Sequence, residues 1–536
     1  MDTSGRLFSD RIPWLWLFVA AGALIYIPFL GGVHLFDWDE INFAEISREM
    51  MVTGDYLRVQ VDYKPFFEKP PFFFWLQSLS MHVFGINEFA ARLPNALCGI
   101  IVLVFLYKTG THWINRRFGI LWPLAYLGSI LPTLYHKSGI IDPWFNLFIF
   151  ASIVSWMEGN RVLRNTKWFV ISGCLCGLAV LTKGPVALLL IGLTIVLMAV
   201  FSGKKQFIQI KSILLFIPGC IGIGGLWFGI EWLAHGPTFI SAFFKYQVEL
   251  LSESVAGHKG FPGYHFVIAL IGIFPASLFA LGALRKKSTD ESLLAWHARL
   301  LMMILTAIVL IIFTIVQSEI VHYSSLAYYP VTFLSAWFLS NFLDGKIRFA
   351  TWQKHLSGIV IIIILSLLFG LPYLGLNIDM LKSKFSFDAF TRASLDAPVG
   401  WGYFDFIPAI WFLGVLIISY AFFKRSKFQH SLISLFIGTA VLVNLFLVFF
   451  IGKIEHYSQR AAVEFCKTKS GQNVEIETLG YRSYVPFYYA AKPQPSDSAV
   501  QKEHYYILKT DKRQILDERP ELKVLYEKNG FIFLEE

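Results

Sequence analysis

KWFVISGCLCGLAVLTKGPVALLLIGLTIVLMAVFS, residues 167–202, is one apolar run broken only by Lys183-Gly184-Pro185. A proline at the start of a helix is tolerated because its missing N–H would have no partner there. The spacing therefore predicts two helices, each about long enough to cross a bilayer, joined by a tight turn with the proline opening the second. Similar apolar windows occur on both sides, at approximately 13–33, 90–110, 118–135, 139–157, 210–231, 263–284, 299–316, 322–343, 355–376, 404–424 and 430–451. This pattern predicts a polytopic α-helical membrane protein with about 13 transmembrane helices. Charged residues make up 15% of the chain, against roughly 25% in soluble domains, so the chain lacks the polar surface to cover itself in water.

The run from Pro13 to Val33 follows Arg6 and Arg11. It is too long for a cleaved signal and reads as the first membrane helix. With the amino terminus inside, the predicted inner loops carry Lys108/Arg116/Arg117, Arg161/Arg164/Lys167, Lys204/Lys205/Lys211, Arg285/Lys286/Lys287, Lys346/Arg348/Lys354 and Lys424/Arg425/Lys427. A miscounted helix would break this alternation, and the bias of Lys and Arg to cytoplasmic loops sets the orientation. The net charge of +9 is thereby topogenic, and no nucleic-acid partner is expected. The five cysteines are scattered and mostly sit inside apolar stretches, which implies neither a disulfide framework nor a cysteine metal site.

Two domains are expected: a transmembrane part over 1–451 and a small α/β domain over 452–536. The second is polar, with alternating runs at Val474–Gly480, His504–Thr510, Val524–Glu527 and Phe531–Glu535 and a helical piece at Tyr484–Ala491. Its Asn529-Gly530 is the signal of a hairpin turn. The long first outer segment, 34–89, contains an aromatic stretch, Phe72–Phe84, that reads as an amphipathic helix in the headgroup plane, with Phe72–Trp75 as interfacial anchors or as the lining of a lipid groove.

Ionisable groups at a membrane face are costly unless paired or wet, which makes them functional candidates. Asp37-Trp38-Asp39-Glu40 stands directly after the first helix and continues into Asn42, Glu45, Arg48 and Glu49. Glu45, Arg48 and Glu49 read equally well as the solvated face of a helix. Glu68-Lys69-Pro70-Pro71 presents two opposite charges on an extended turn. Asp142, before Pro143, is either a helix cap or a functional acid. Lys183 lies at an outer turn, against the bias for lysine, and a lipid phosphate is the available anion for it.

These motifs, with Ala44–Met50, Phe84-Gly85, Glu88-Phe89-Ala90-Ala91-Arg92-Leu93-Pro94, Leu181–Pro185, His258-Lys259-Gly260 and Glu319 with His322-Tyr323, resemble the aminoarabinose transferase and protein O-mannosyltransferase group of bacterial C-type glycosyltransferases. The resemblance covers about residues 13–345. It implies an enzyme of the bacterial inner membrane, with the amino terminus cytoplasmic and the active site and carboxyl terminus periplasmic. Such an enzyme moves a sugar from a polyprenyl-phosphate donor to lipid A, another glycan or a protein. By the same resemblance, Asp39 and Asp142 are the catalytic acids, with Asp39 the general base. Lys69 and Lys183 hold the donor phosphate. Glu68 with His258 would hold a divalent metal ion (Zn, Mg or Mn). Glu40, Glu45, Arg48, His322 and Tyr323 are further candidates. The family often has Arg where Asn42 stands, which removes a cation from the phosphate site.

Two other functions compete. Transfer to a protein Ser/Thr changes only the acceptor. A secondary transporter would place its charged residues near the membrane midplane, often on repeated halves, whereas these acids cluster at one face and no repeat is seen.

Overall fold

The computed structural model describes residues 12–161, 165–204, 207–252, 261–284, 291–316, 320–495 and 503–536. Its helices, in order, are α1 (Trp14–Tyr26), α2 (Asp39–Thr53), α3 (Phe72–Phe84), α4 (Glu88–Trp113), α5 (Arg116–Leu127), α6 (Ile130–Tyr135), α7 (Asp142–Arg161), α8 (Lys167–Lys183), α9 (Val186–Ser202), α10 (Ile210–Cys220), α11 (Leu226–His235), α12 (Thr238–Ser252), α13 (Tyr264–Gly272), α14 (Ala276–Ala280), α15 (Leu293–Ile315), α16 (Tyr328–Leu343) and α17 (Thr351–Leu376). Two short surface helices, α18 (Ile378–Lys384) and α19 (Ala389–Ser394), precede α20 (Ile407–Lys424) and α21 (Phe428–Phe446). Side chains place several boundaries. Asn87 and Asn115 accept from the backbone N–H groups of Ala90 and Phe118, satisfying otherwise orphaned donors at the starts of α4 and α5. The long apolar run breaks at Gly184-Pro185, where Gly184 has φ 111°, a conformation that a side chain disfavours.

By length and composition, six helices among the described residues can cross a membrane, and a seventh if the α13/α14 pair, bent by 109°, is one broken span. Other apolar windows are shorter or split: 118–135 is divided between α5 and α6, and α8 and α9 have 17 residues each. Helix α4 is 67% buried inside the bundle, whereas the α17 span is 22% buried. The first is therefore a central helix and the second faces the surroundings over most of its surface.

The amphipathic helix α3 packs inward. Phe73 and Phe74 are fully buried, and Phe72 meets Trp144 and Phe148 edge-on. The expected role of Phe72–Trp75 as groove lining or interfacial anchors is thus corrected for these phenylalanines, which are core residues. Leu79, Val83 and Phe84 form the exposed apolar face.

The first outer segment holds a two-stranded ribbon of β1 (Gln60–Val61) and β2 (Lys64–Pro65), and after α22 (Gly452–Ser458) and α23 (Arg460–Lys469) comes a sheet of β3 (Val474–Leu479), β4 (Glu503–Lys509), β5 (Lys523–Lys528) and β6 (Phe531–Glu535), with α24 (Val485–Tyr489) between β3 and β4. The strand order is β3-β4-β6-β5; β3 runs parallel to β4 and the other pairs are antiparallel. Asn529 and Gly530, both at positive φ, turn β5 into β6.

This unit shares a core with the first outer segment: Phe43, Ile46 and Met50 pack in one cluster with Val463, Tyr484, Ile507 and Phe533. Polar bonds fasten the two. The Leu35 N–H donates to the Tyr489 hydroxyl at 2.7 Å, and the Asp37 N–H to Gln459 at 3.1 Å. Arg48 and Tyr63 both donate to the Lys492 carbonyl, at 2.9 and 2.7 Å. Glu45, Arg48 and Glu49 are buried in this joint and none of them lines the cavity described below. The solvated-face reading is corrected, because the carboxyl-terminal unit covers Glu45, Arg48 and Glu49.

Burial and the charge of Glu45 push the Glu49 carboxyl up to about 8. In an unfolded chain it would release its proton near 4.3. The folded protein thus holds an extra proton between these values, so this group's contribution to stability falls as pH rises through that window. Glu49→Gln should remove a dependence of up to about 1.4 kcal/mol per pH unit. Thermal unfolding in detergent from pH 5.5 to 8 checks this, the wild type losing midpoint temperature relative to the variant as pH rises.

Candidate active site

Asp39 is the first residue of α2 and Asp142 the first residue of α7, while Lys183 is the last residue of α8. Carboxylates at helix starts and a cation at a helix end suit the helix dipole, so local structure favours all three charges where they stand. The three helix ends converge on one cavity of about 1150 Å³. Asn42, Glu68, Lys69, His322 and Tyr323 line it as well.

Lys183 Nζ donates to Asp142 Oδ1 at 2.6 Å, and its ammonium also lies 4.9 Å from the centre of the Tyr323 ring. His322 Nε2 stands between the acids, 3.6 Å from Asp39 Oδ2 and 3.8 Å from Asp142 Oδ2. The short helix Val321–Ala327 that carries His322 is tied to α7 by Asn146, which donates to Ser325 Oγ at 2.7 Å. The carboxylates differ in access: the side chain of Asp142 is 4% exposed and that of Asp39 is 35%.

Lys69 projects from the turn before α3, its ammonium 5.2 Å from the centre of the Tyr246 ring, and Tyr246 donates to Glu68 Oε2 at 3.0 Å. Burial pulls the Lys69 ammonium below the ordinary lysine range; Glu68 opposes this and Lys183 adds to it. The side-chain amide oxygen of Asn42, Oδ1, is buried and accepts no hydrogen bond among the described residues.

Glu40 has a different part. Arg92 grips it with two hydrogen bonds, Nε to Oε1 at 2.9 Å and Nη2 to Oε2 at 2.7 Å, and also donates to the carbonyls of Leu30, Val33 and His34. Glu40 accepts in turn from the N–H groups of Phe36 and Gly139, at 3.0 and 2.6 Å. Burial alone would raise its pKa, but Arg92 more than reverses that and holds the carboxyl below its usual range. The pair thus locks the residue next to Asp39 to the loop three residues before Asp142.

Sequence reasoning gave no role to Asp37, Tyr135, Lys137 or Tyr246, which also line the cavity. Lys137 donates to the carbonyls of Ile25, Tyr26 and Pro28, closing the end of α1. Nothing in its local sequence marks this, since its partners are more than a hundred residues away.

For a divalent ion, Glu68 is the one expected ligand that can be placed; His258 lies outside the described residues. Among the described residues no cluster of three or more His, Cys, Asp or Glu is arranged to hold a metal. Glu68 is engaged by Tyr246 and faces the Lys69 cation.

Residues 68–223 match the family described as dolichyl-phosphate-mannose-protein mannosyltransferase. The undecaprenyl phosphate-alpha-4-amino-4-deoxy-L-arabinose arabinosyl transferase of Pectobacterium carotovorum is 27% identical over 410 residues, covering 71% of each chain. The enzyme of that name from Yersinia enterocolitica is 28% identical over 262 residues, 47% of this chain and 46% of its own. The crystal structure of ArnT from Cupriavidus metallidurans bound to undecaprenyl phosphate superposes with a TM-score of 0.73 at 17% identity, covering 98% of both chains. The fold is that of ArnT.

Arg92→Leu would strand the buried Glu40 charge, which costs about 3–5 kcal/mol when one partner of such a pair is removed. A large drop in unfolding temperature is expected, and Glu40→Gln combined with Arg92→Leu should recover part of it. Equal stability of wild type and single variant would refute the lock.

Proposed function

We propose that this chain, an aminoarabinose transferase-like membrane glycosyltransferase, moves a sugar from a polyprenyl-phosphate donor to lipid A or a related glycolipid at the cavity between Asp39 and Asp142. The observation that carries this reading is the meeting of Asp39, Asp142, His322, Lys69 and Lys183 in one cavity that also has apolar stretches of wall. A charged phosphate and a sugar suit the centre, and a prenyl chain suits the walls formed by Val186, Leu189, Ile312 and Phe313.

Breaking the bond between the anomeric carbon and the phosphate oxygen places an additional negative charge on the leaving phosphate. Lys69 and Lys183 are the cations available to stabilise it, and a preorganised cation in a partly dry site acts where charge develops. Asp39 is the more accessible acid, and no hydrogen bond holds its carboxylate among the described residues. It takes the proton of the acceptor hydroxyl as the new C–O bond forms. Asp142, fixed by Lys183 and flanked by His322, orients the acceptor. The unpaired side-chain amide oxygen of Asn42 receives a donor hydrogen from the substrate, in place of the phosphate contact an arginine would make. A single displacement inverts the anomeric centre.

The apolar patch of Phe29, Leu447, Val448 and Ile451 on the same cavity supports an acceptor with lipid chains. The match to protein mannosyltransferases over 68–223 favours transfer to Ser/Thr as the second reading. In this proposal the chain crosses the bacterial inner membrane about 13 times, with its amino terminus cytoplasmic and the cavity periplasmic, as the alternation of basic loops indicates.

Asp39→Asn should lower sugar transfer at least about a hundredfold, the lower range of general-base contributions, while donor binding persists; near-wild-type turnover measured by radiolabelled sugar transfer would reject Asp39 as the base. Lys183→Ala should weaken binding of undecaprenyl phosphate about tenfold, the effect of one lost charge-assisted hydrogen bond. A titration followed by intrinsic tryptophan fluorescence measures this, and an unchanged affinity would remove Lys183 from the phosphate site. NMR of the product should show the inverted anomer.

A further inference from the structure

Helices that reach the polar cavity carry a second cavity at their other ends. Asp142 opens α7 and Arg161 closes it; on α15, Ile312 and Phe313 line the first cavity while Leu293, Leu294 and His297 line the second. Arg92 and Trp113 on α4 divide in the same way, as do Val186 on α9 and Lys204 just beyond its end. The 20 residues of α7 span about 30 Å, the thickness of a bilayer's hydrocarbon core. The second cavity therefore sits at the opposite membrane face.

Its volume is about 370 Å³, the room of about a dozen waters. That is enough for a phosphoglycerol headgroup and too little for a sugar on a long prenyl chain. Met157, Phe207, Leu293 and Leu294 supply apolar wall, and the Phe207 ring meets His297 edge-on at 5.9 Å. The polar wall is unequally charged. Glu158 accepts from Trp113 Nε1 at 2.6 Å and pairs with Arg161 at 3.0 Å, so its charge is matched. Lys204, half-buried, also lines the cavity, and among the described residues no carboxylate pairs with its ammonium. One cation is left over beside an apolar slot at a membrane face, which is the pattern that takes an anionic lipid headgroup.

We propose that this second cavity binds an anionic phospholipid of the leaflet opposite the active site, with Lys204 receiving its phosphodiester and Met157, Leu293 and Leu294 the first acyl methylenes. Lys204 then does more than bias topology.

The test follows thermal unfolding of the purified full chain in detergent, titrated separately with short-chain phosphatidylglycerol, phosphatidylcholine and inorganic phosphate. Phosphatidylglycerol should raise the midpoint and the other two should not. Lys204→Gln should weaken the apparent affinity about fivefold, as one lost lysine contact at a lipid surface does. Leu294→Trp, which fills the slot and keeps every cation, should abolish it. Native mass spectrometry of wild type and Lys204→Gln, counting retained phosphatidylglycerol, gives an independent readout should the tryptophan variant not fold. An affinity unchanged by Lys204→Gln, a matching response to phosphatidylcholine, or an equal response to phosphate alone would each overturn the proposal.

Discussion

The buried pair of Glu40 and Arg92 is the constraint on which the active-site geometry depends. An arginine sealed among apolar helices needs its donors filled, and here they are filled by one carboxylate and three backbone carbonyls of the chain leaving α1. The carboxylate in turn holds the Gly139 N–H. Three stretches distant in sequence, 30–40, the start of α4 and the loop before α7, are thereby fixed to one another. Asp39 and Asp142 sit one and three residues from the clamped atoms, so neither acid has to be ordered when substrate arrives. Gly139 shows how tight the arrangement is, since a Cβ there would lie 3.3 Å from the Ala91 carbonyl oxygen and 3.5 Å from Glu40 itself.

Charge placement within the cavity follows a simple physical division. The acid most tied to other groups, Asp142, is the buried one; the acid with a free oxygen, Asp39, is the accessible one. His322 lies between them, within 4 Å of each. The lysines approach from two directions, Lys183 from the end of α8 and Lys69 from the turn before α3.

Much of this was legible along the chain and some of it was not. Acids placed where apolar runs begin, and a lysine on the wrong side of a hairpin, stand out because hydropathy and the loop-charge bias set a background against which they are anomalous. The Asn529-Gly530 turn and the alternating runs of the tail are equally local signals: the runs fall in β3, β4, β5 and β6, and the turn joins the last two. Glu45, Arg48 and Glu49 misled for the opposite reason. Their spacing is that of a wet helix face, and what covers them, around Tyr488 and Lys492, comes more than four hundred residues later. Helix lengths were blurred too, because breaks such as the one between α5 and α6 leave apolar content unchanged while they redirect the backbone.

The joint between the first outer segment and the carboxyl-terminal unit bears on biogenesis. The Leu35 N–H finds its acceptor on Tyr489, 454 positions onward. At ordinary elongation rates of about 5–20 residues per second, that partner emerges roughly 20 to 90 s after its donor. Throughout synthesis the nascent chain therefore carries Phe43, Ile46 and Met50 without the carboxyl-terminal residues that share their core, so the apolar face of α2 needs other cover until the ribosome has nearly finished.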